Sequence, residues 1–363
     1  MSKLILTGLT LPELESFVKS IDEPKFRAKQ LFIWLYAKRA KSFDEMSDLG
    51  KALRARLAEV AEIGKLEIAG TQRSPSDGST KYLFKLADGN HVEAVLIPSE
   101  SRNDDGDPKR RTVCISTQVG CALDCKFCAT ASMKVKRDLT VFEIIAQFLE
   151  VERATKARLT NIVYMGMGEP LLNYENVMKS VEIFTHPDAE LVGANHITIS
   201  TAGIVDGIRR MADENRKVKL AISLHTLDNH LRTSLMPINK KYPLPLLLDT
   251  VDYYYEKTER TVTFEYILFD ELNDTDADIK RITALSRRIP CKFNFIPFHP
   301  SEAITPSGIG ARLRPTPRTR VDQIVRALRE AHVTVMVRSS AGEDISGACG
   351  QLAVKGAGEK VVW

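Results

Sequence analysis

The amino-acid sequence predicts an α/β fold: a partial (β/α)6 barrel with a small N-terminal helical domain and a β-hairpin extension. Three observations carry this reading. From Arg111 onward, six apolar strand-like runs alternate with amphipathic helical segments. Residues 1–62 show helical periodicity and a basic bias. Between them, strand-like alternation flanks Asp88-Gly89-Asn90, a hairpin turn signal. The expected divisions are 1–62, 63–106, 107–341 and 342–363.

A chain of 363 residues is long enough for one large domain with one or two small ones. Its 44% hydrophobic and 27% charged content is ordinary for a soluble globular protein, and a net charge of +4 decides little. Met1 to Thr10 lacks the pattern of a secretion signal. No apolar run reaches about 18 residues, so no membrane span is expected. Clustered thiols without such a signal point to a reducing cytoplasm rather than a disulfide scaffold.

In the first segment, Leu11-Pro12-Glu13-Leu14 opens one helix, and Lys25 to Lys41 gives a second with apolar Phe26, Leu31, Trp34 and Leu35. Leu53, Leu57 and Val60 mark a third. Nine Lys or Arg lie between Lys25 and Arg56, opposed only by Asp44, Glu45 and Asp48. From charge alone this is a solvated basic face, with phosphate contact as the alternative. The period then changes: 81–86 and 91–97 read as strands, with Asp77-Gly78 a further turn. Glu93 projects from one strand face, where a carboxylate is ordinarily solvated or paired. Residues 101–109 form a polar linker.

The β/α region has candidate strands at 111–117, 161–165, 196–201, 218–224, 261–269 and 291–298. Helical segments lie near 141–156, 174–184, 205–212, 244–258 and 277–288, and a further helix at 320–332 leads into 333–337. Such units of roughly 30–50 residues are what a parallel sheet requires, and six suit an open barrel.

Chemistry concentrates at the expected strand C-termini. Four of the six cysteines lie between Cys114 and Cys128, and Cys121, Cys125 and Cys128 are spaced C-x3-C-x2-C. Three thiolates can hold one face of a [4Fe–4S] cluster and leave one iron open; zinc and a disulfide pair are the alternatives. After the second strand, Gly166, Gly168 and Glu169 combine close backbone approach with a carboxylate for an ammonium group. Ser200 ends the third strand, Ser223-Leu224-His225 the fourth, and His299 the sixth. Their hydroxyls suit a ribose or carboxylate, or cap the next helix. Cys291, opening an apolar strand, reads as a small buried hydrophobe. Cys349 sits in a small-residue loop and reads as an exposed, mobile thiol, a nucleophile or redox candidate. Cys114 stands outside the triplet, so a transient Cys114–Cys349 disulfide is open to the chain.

The C-x3-C-x2-C triplet with Phe127 before its last cysteine, together with Gly168-Glu169-Pro170, resembles the radical S-adenosylmethionine superfamily. More narrowly, the chain is similar to the RlmN group of radical RNA methyltransferases nearly end to end, through 26–36, 92–95, 118–121, 165–173, 223–225, 236–243 and 348–352. It departs from that pattern in a longer linker before Cys114 and a longer 301–320 segment carrying Arg312, Arg314, Arg318 and Arg320. It also has His299 where the group usually has Asn, with Asn294 as the alternative cofactor contact.

The resemblance implies 2-methyladenosine formation in 23S rRNA, at the peptidyl transferase centre, and in tRNA beside the anticodon. It implies a [4Fe–4S] cluster on Cys121, Cys125 and Cys128, and a cofactor site at Gly168, Glu169, Ser200, Ser223, Leu224, His225 and His299. Two S-adenosylmethionine molecules are used per turnover: Cys349 takes a methyl group from one, and the other is cleaved to a 5′-deoxyadenosyl radical. That radical takes hydrogen from the Cys349 methyl group, and the carbon radical adds to C2. Glu93 removes the C2 proton, and Cys114 resolves the adduct as a disulfide with Cys349. The radical route suits the chemistry, because the electron-poor C2 carbon cannot attack a sulfonium methyl group directly. Flavodoxin or ferredoxin as electron donor, a monomeric state and a cytoplasmic location complete the expectation. The basic helices and the 312–320 arginines then read as RNA contacts. The competing readings are methylation at C8 by the related resistance-type enzymes and a non-catalytic iron–sulfur or zinc RNA-binding protein.

Overall fold

A computed structural model of the chain describes residues 3–300, 308–338 and 341–354. Residues 301–307 of the Arg-bearing segment and 355–363 of the C-terminal tail lie outside the described residues.

The front of the chain is helical, as its periodicity requires. β1 (Leu4–Ile5) leads to α1 (Leu11–Ser20), which begins at a capping box between Thr10 and Glu13, with Pro12 in the first turn. α2 (Phe26–Phe32) is shorter than the helix expected over 25–41. It widens at Ile33–Ala37 into a π-turn, where the Lys38 N–H bonds the Ile33 carbonyl at 2.9 Å. The turn leaves Tyr36 buried, its hydroxyl receiving the Gly8 N–H at 2.9 Å and donating to the Leu9 carbonyl at 2.8 Å. A 3.6-residue pattern carries no signal for such an insertion. α3 (Lys51–Val60) and β2 (Ala61–Glu62), parallel to β1, complete this part.

One ten-stranded sheet organises the remainder. β3 (Glu67–Arg73), β4 (Thr80–Lys85) and β5 (His91–Pro98) are antiparallel, and β5 continues antiparallel onto β6 (Arg111–Cys114). After β6, the short pair β7 (Gln118–Val119) and β8 (Arg137–Asp138) closes the neck of the cysteine loop. The chain then alternates through α4 (Val141–Thr155), β9 (Asn161–Tyr164), α5 (Tyr174–Thr185), β10 (Ile197–Thr201) and α6 (Val205–Asp213). It continues with β11 (Lys219–Ser223), α7 (Asn229–Leu235), α8 (Leu244–Thr258), β12 (Val262–Leu268), α9 (Asp276–Arg288) and β13 (Cys291–Pro297). α10 (Arg318–Glu330) and β14 (Val335–Val337) end the series.

From β6, the strands β9 to β14 follow in chain order, each parallel to the last, as in a partial barrel. β14 adds a seventh parallel strand to the six expected, and α7 is a helix the periodicity did not signal.

Register sorts the side chains by face. Val95 lies opposite Cys114, so Glu93, Val95 and Ile97 share the face of that thiol. Followed across the parallel strands, the same face carries Ser200, Ser223, Glu265 and Asn294. Ile199, Ile222, Phe264 and Phe293 occupy the other face and are wholly buried. The polar set therefore lines the barrel interior. Among the described residues, no helix is long and apolar enough to cross a membrane.

Candidate active site

The cysteine loop leaves the C-terminal end of β6 and is pinned at its neck. Arg137 of β8 bonds Asp88 of the hairpin turn at 2.6 Å and takes both carboxylate oxygens of Glu143 in α4 at 2.8 Å. Gly120 has φ +78°, and a Cβ there would lie 1.8 Å from the Lys134 carbonyl oxygen. Only glycine fits that crossing. Inside the loop, Phe127 packs edge-on to His225 at 4.7 Å between ring centres and against Phe269 at 5.9 Å.

Cys121, Cys125 and Cys128 line one cleft with Gly168, Glu169, Ser200, Ser223 and His225. Among the described residues, no three His, Cys, Asp or Glu side chains converge as a single-ion chelate. The three thiols instead share a cleft wall. Backbone N–H groups of Leu123 and Ala122 act on Cys121, while the Thr130 and Ala131 N–H groups act on Cys128. Donors of this kind stabilise sulfur anions. Burial pushes the Cys121 thiol up to about 12 and raises Cys125 and Cys128 as well, so metal binding here must displace protons. Three sulfurs with donor support, facing open space, fit a four-iron cluster taking three protein ligands.

The Gly166–Glu169 turn lies directly on the strand before that loop. A Cβ on Gly166 would sit 2.7 Å from the Ile115 carbonyl, and one on Gly168 (φ +97°) would sit 2.6 Å from Gln118 Cβ. The Glu169 N–H bonds Gln118 Oε1 at 2.9 Å. Its carboxylate accepts the Leu171 N–H at 3.0 Å and the Ala202 N–H at 2.7 Å. Burial nevertheless pushes this carboxyl up to about 7.

Ser200 and Ser223 line the cleft and cap neither following helix. The N-cap of α6 is Ile204, and Asp228 caps α7. His225, at φ +58°, accepts the Ile267 N–H on Nδ1 at 3.0 Å, and burial holds its ring neutral by lowering its pKa to about 3. Leu224 is buried in the core rather than along the cleft. The wholly buried Arg232 bonds the carbonyls of Ala202, Ser223 and Leu224 and the side chain of Asn239, tying the ends of β10 and β11 together. Its positive charge acts on Cys125.

A second, smaller cavity of about 30 Å³, room for roughly one water, lies beside the cleft. Cys114, Cys349, His299 and Arg338 line it, and Cys349 and Arg338 also line the cleft. Cys349 is half-buried rather than exposed. Its loop is held by the Ala129 N–H on the Gly350 carbonyl at 2.7 Å and the Thr130 hydroxyl on the Leu352 carbonyl at 2.7 Å. Asp77 anchors the Gly342 N–H at 2.7 Å, and Ser74 bonds Asp344 at 3.0 Å. His299 Nδ1 pairs with Glu343 at 2.8 Å, on the thiol side of the site. Asn294 instead bonds Glu265 at 2.7 Å.

Glu93 is wholly buried, with Lys81 Nζ at 3.4 Å across the β4–β5 pair and no well-formed hydrogen bond to either oxygen. Burial raises its pKa, against the Lys81 charge. Glu93 shares the strand face of Cys114 but lines neither the cleft nor the thiol cavity. Cys291 is half-buried, with its thiol pushed up to about 12 by burial.

Sequence reasoning missed Arg232, Arg338, Gln118 and Glu265. Single arginines outside a motif carry no signal of burial. Glu265 stands in a strand whose inward register emerges only from the pairing, and Gln118 lies in the short β7 outside that sheet.

Two family models match the chain: the ribosomal RNA large subunit methyltransferase N-terminal domain at residues 5–63, and the radical SAM superfamily at residues 115–282. The dual-specificity RNA methyltransferase RlmN of Geobacter sulfurreducens is 44% identical over 347 residues, covering 96% of this chain and 91% of the relative. That of Syntrophobacter fumaroxidans is 41% identical over 354 residues, covering 97% and 98%. The crystal structure of a radical SAM methyltransferase from Sphaerobacter thermophilus superposes with a TM-score of 0.86 at 40% identity, covering 96% of this chain and 99% of that one. The radical SAM match implies a 4Fe–4S cluster and S-adenosylmethionine, in keeping with the three cleft thiols. With the fold, the cysteine loop and near-full-length similarity in agreement, the chain belongs to the RlmN family within the radical SAM superfamily.

Proposed function

We propose that this protein is a radical methyltransferase that converts adenosine to 2-methyladenosine in 23S rRNA and in tRNA. One observation carries the reading: Cys349 lines both the cluster cleft and the cavity that holds Cys114, so one sulfur faces a cofactor site on one side and a second thiol on the other.

When bound, the cluster and S-adenosylmethionine supply one-electron chemistry at carbon. The protein's own groups do the rest. Cys121, Cys125 and Cys128 hold the iron, and Glu169, Ser200, Ser223 and His225 orient the cofactor. Cys349 carries the methyl group to be transferred, so two cofactor molecules serve each turnover. Glu93, on the inner face with Cys114, takes the proton from adenine C2. Cys114 then attacks the Cys349 sulfur: an S–S bond forms, the bond from that sulfur to the methylene carbon breaks, and its electron pair takes a proton to complete the methyl group. A reductant reopens the disulfide. Flavodoxin or ferredoxin suits the electron supply, and we assign the chain as a monomer.

RNA contact extends to the N-terminal helices, where Lys3, Lys41, Lys51, Arg54 and Lys65 line one groove against Asp44 and Glu62. Arg312, Arg314, Arg318 and Arg320 are further candidates for phosphate contact.

The test is turnover of cluster-loaded protein with rRNA and tRNA, followed by nucleoside analysis. 2-Methyladenosine and 5′-deoxyadenosine are expected. 8-Methyladenosine would overturn the regiochemistry, and absence of 5′-deoxyadenosine would return the protein to a non-catalytic RNA-binding role. The Cys114→Ala variant should accumulate a covalent protein–RNA adduct; normal turnover would remove the resolving step.

A further inference from the structure

Arg338 follows β14 directly, and its backbone N–H bonds the Phe295 carbonyl of β13 at 2.8 Å, so the last parallel strand sets its position. Its Nη1 lies 3.4 Å from Cys349 Sγ and 3.6 Å from Met165 Sδ. It lines both the cleft and the thiol cavity. Glu265, on the inner face of β12, is its carboxylate neighbour in charge. A part-buried guanidinium whose side-chain hydrogen bonds, among the described residues, go to sulfur is an unusual use of five donors, and the mechanism above gives it no task.

We propose that Arg338 is the positioning residue for the thiol pair: it fixes the Cys349 sulfur between the two cavities and supplies the positive charge that orders which sulfur reacts first. The inference rests on the reading of Cys349 and Cys114 as a reacting pair. The two thiols are unequal. Arg338 bonds Cys349 and acts on Cys114 only through space. Cys114 is pushed up to about 12, by burial first and then by the neighbouring Cys349; Arg338 opposes both. While Cys349 is uncapped, its sulfur holds the nearest guanidinium donor, and Cys114 has none. Once the Cys349 sulfur is capped, it can no longer ionise against Cys114, while the Arg338 charge remains. Cys114 becomes the better nucleophile at the stage when it is needed, its proton passing to solvent. The other titratable groups near the pair are His299, paired with Glu343, together with Glu265 and Cys128.

The test is site-resolved alkylation of cluster-loaded, full-length protein with iodoacetamide, read by mass spectrometry at Cys349 and Cys114 across pH 6 to 10. It needs no RNA and no turnover, so its result is separate from that of the methylation assay. In wild type, Cys349 should react before Cys114. Arg338→Gln should slow Cys349 about tenfold near neutrality, with Arg338→Lys restoring most of the rate. In Cys349→Ala, Cys114 alkylation should rise about tenfold, and adding Arg338→Gln should reverse the gain. Glu265→Gln, which removes the competing carboxylate without touching either thiol, should speed Cys349. Unchanged alkylation rates at both cysteines in folded, iron-replete Arg338→Gln protein would overturn the proposal. If that variant does not fold, the Glu265→Gln profile decides: no acceleration of Cys349 overturns it.

Discussion

The Glu169 carboxylate accepts the Ala202 N–H at 2.7 Å, so the acid of the second β/α turn is held by the end of the third parallel strand. That bond opposes burial without cancelling it, and the carboxyl rests at about 7. The unfolded value is 4.5, so between 4.5 and 7 the folded chain binds more protons than the unfolded one. Stability should fall as pH rises through that window, by about 3 kcal/mol, and level off above it. Glu169→Gln should flatten the slope in melting curves of the cofactor-free protein from pH 4 to 8. In the loaded enzyme, affinity for S-adenosylmethionine should rise over pH 6 to 8, because an ammonium group pairs only with the ionised form. Equilibrium dialysis reads this directly; a flat profile argues against Glu169 as the ammonium partner.

Glu93 is the natural subject of a second substitution. Glu93→Gln keeps the shape but takes the carboxylate away from the buried Lys81 ammonium at 3.4 Å, so the melting temperature should fall. Loss of a general base typically costs about 10²–10⁴ in rate, and that range is expected for 2-methyladenosine formation. Methylation of Cys349, seen as a mass increase on its peptide, should survive. If both steps failed together, Glu93 would be acting through the fold instead.

Thr130→Val tests the anchoring of the Cys349 loop. It removes a buried hydroxyl and leaves the Leu352 carbonyl without its 2.7 Å partner, at a cost of about 1–2 kcal/mol. Hydrogen exchange should quicken in residues 348–353 while α4 and α5 remain protected. Unchanged exchange would mean the backbone bond from Ala129 suffices alone.

The basic groove offers a fourth measurement. Lys41→Glu, Lys51→Glu and Arg54→Glu together should weaken RNA binding and reduce the slope of log affinity against log salt by about 2, near the single-strand value per lost phosphate contact. Removal of residues 1–62 would be a poorer test. Gly8 touches Phe142 of α4, Lys179 pairs with Glu13, and Glu152 pairs with Arg39, so truncation would strip part of the barrel's own packing. Unaltered cofactor cleavage in the triple variant would separate RNA contact from chemistry.

Much of this architecture was legible in the sequence because parallel strands and their crossover helices impose strong, opposite periods. The run from Arg111 to Pro297 shows it, and the cysteine spacing marked the cleft. The π-turn at Ile33–Ala37 was hidden because one inserted residue hardly changes a helical pattern. Cys349 was misjudged as exposed because Ser, Gly and Ala around it read as a mobile loop. The partners that hold it, Ala129, Thr130, Asp77 and Arg338, come from other parts of the chain, and local composition cannot report them. Arg338 was silent for the same reason.

The bond from Ala129 to Gly350 joins the residue after Cys128 to the residue after Cys349. A shift in the 121–128 loop therefore reaches the Cys349 loop through the backbone itself, with the Thr130–Leu352 bond just beyond it.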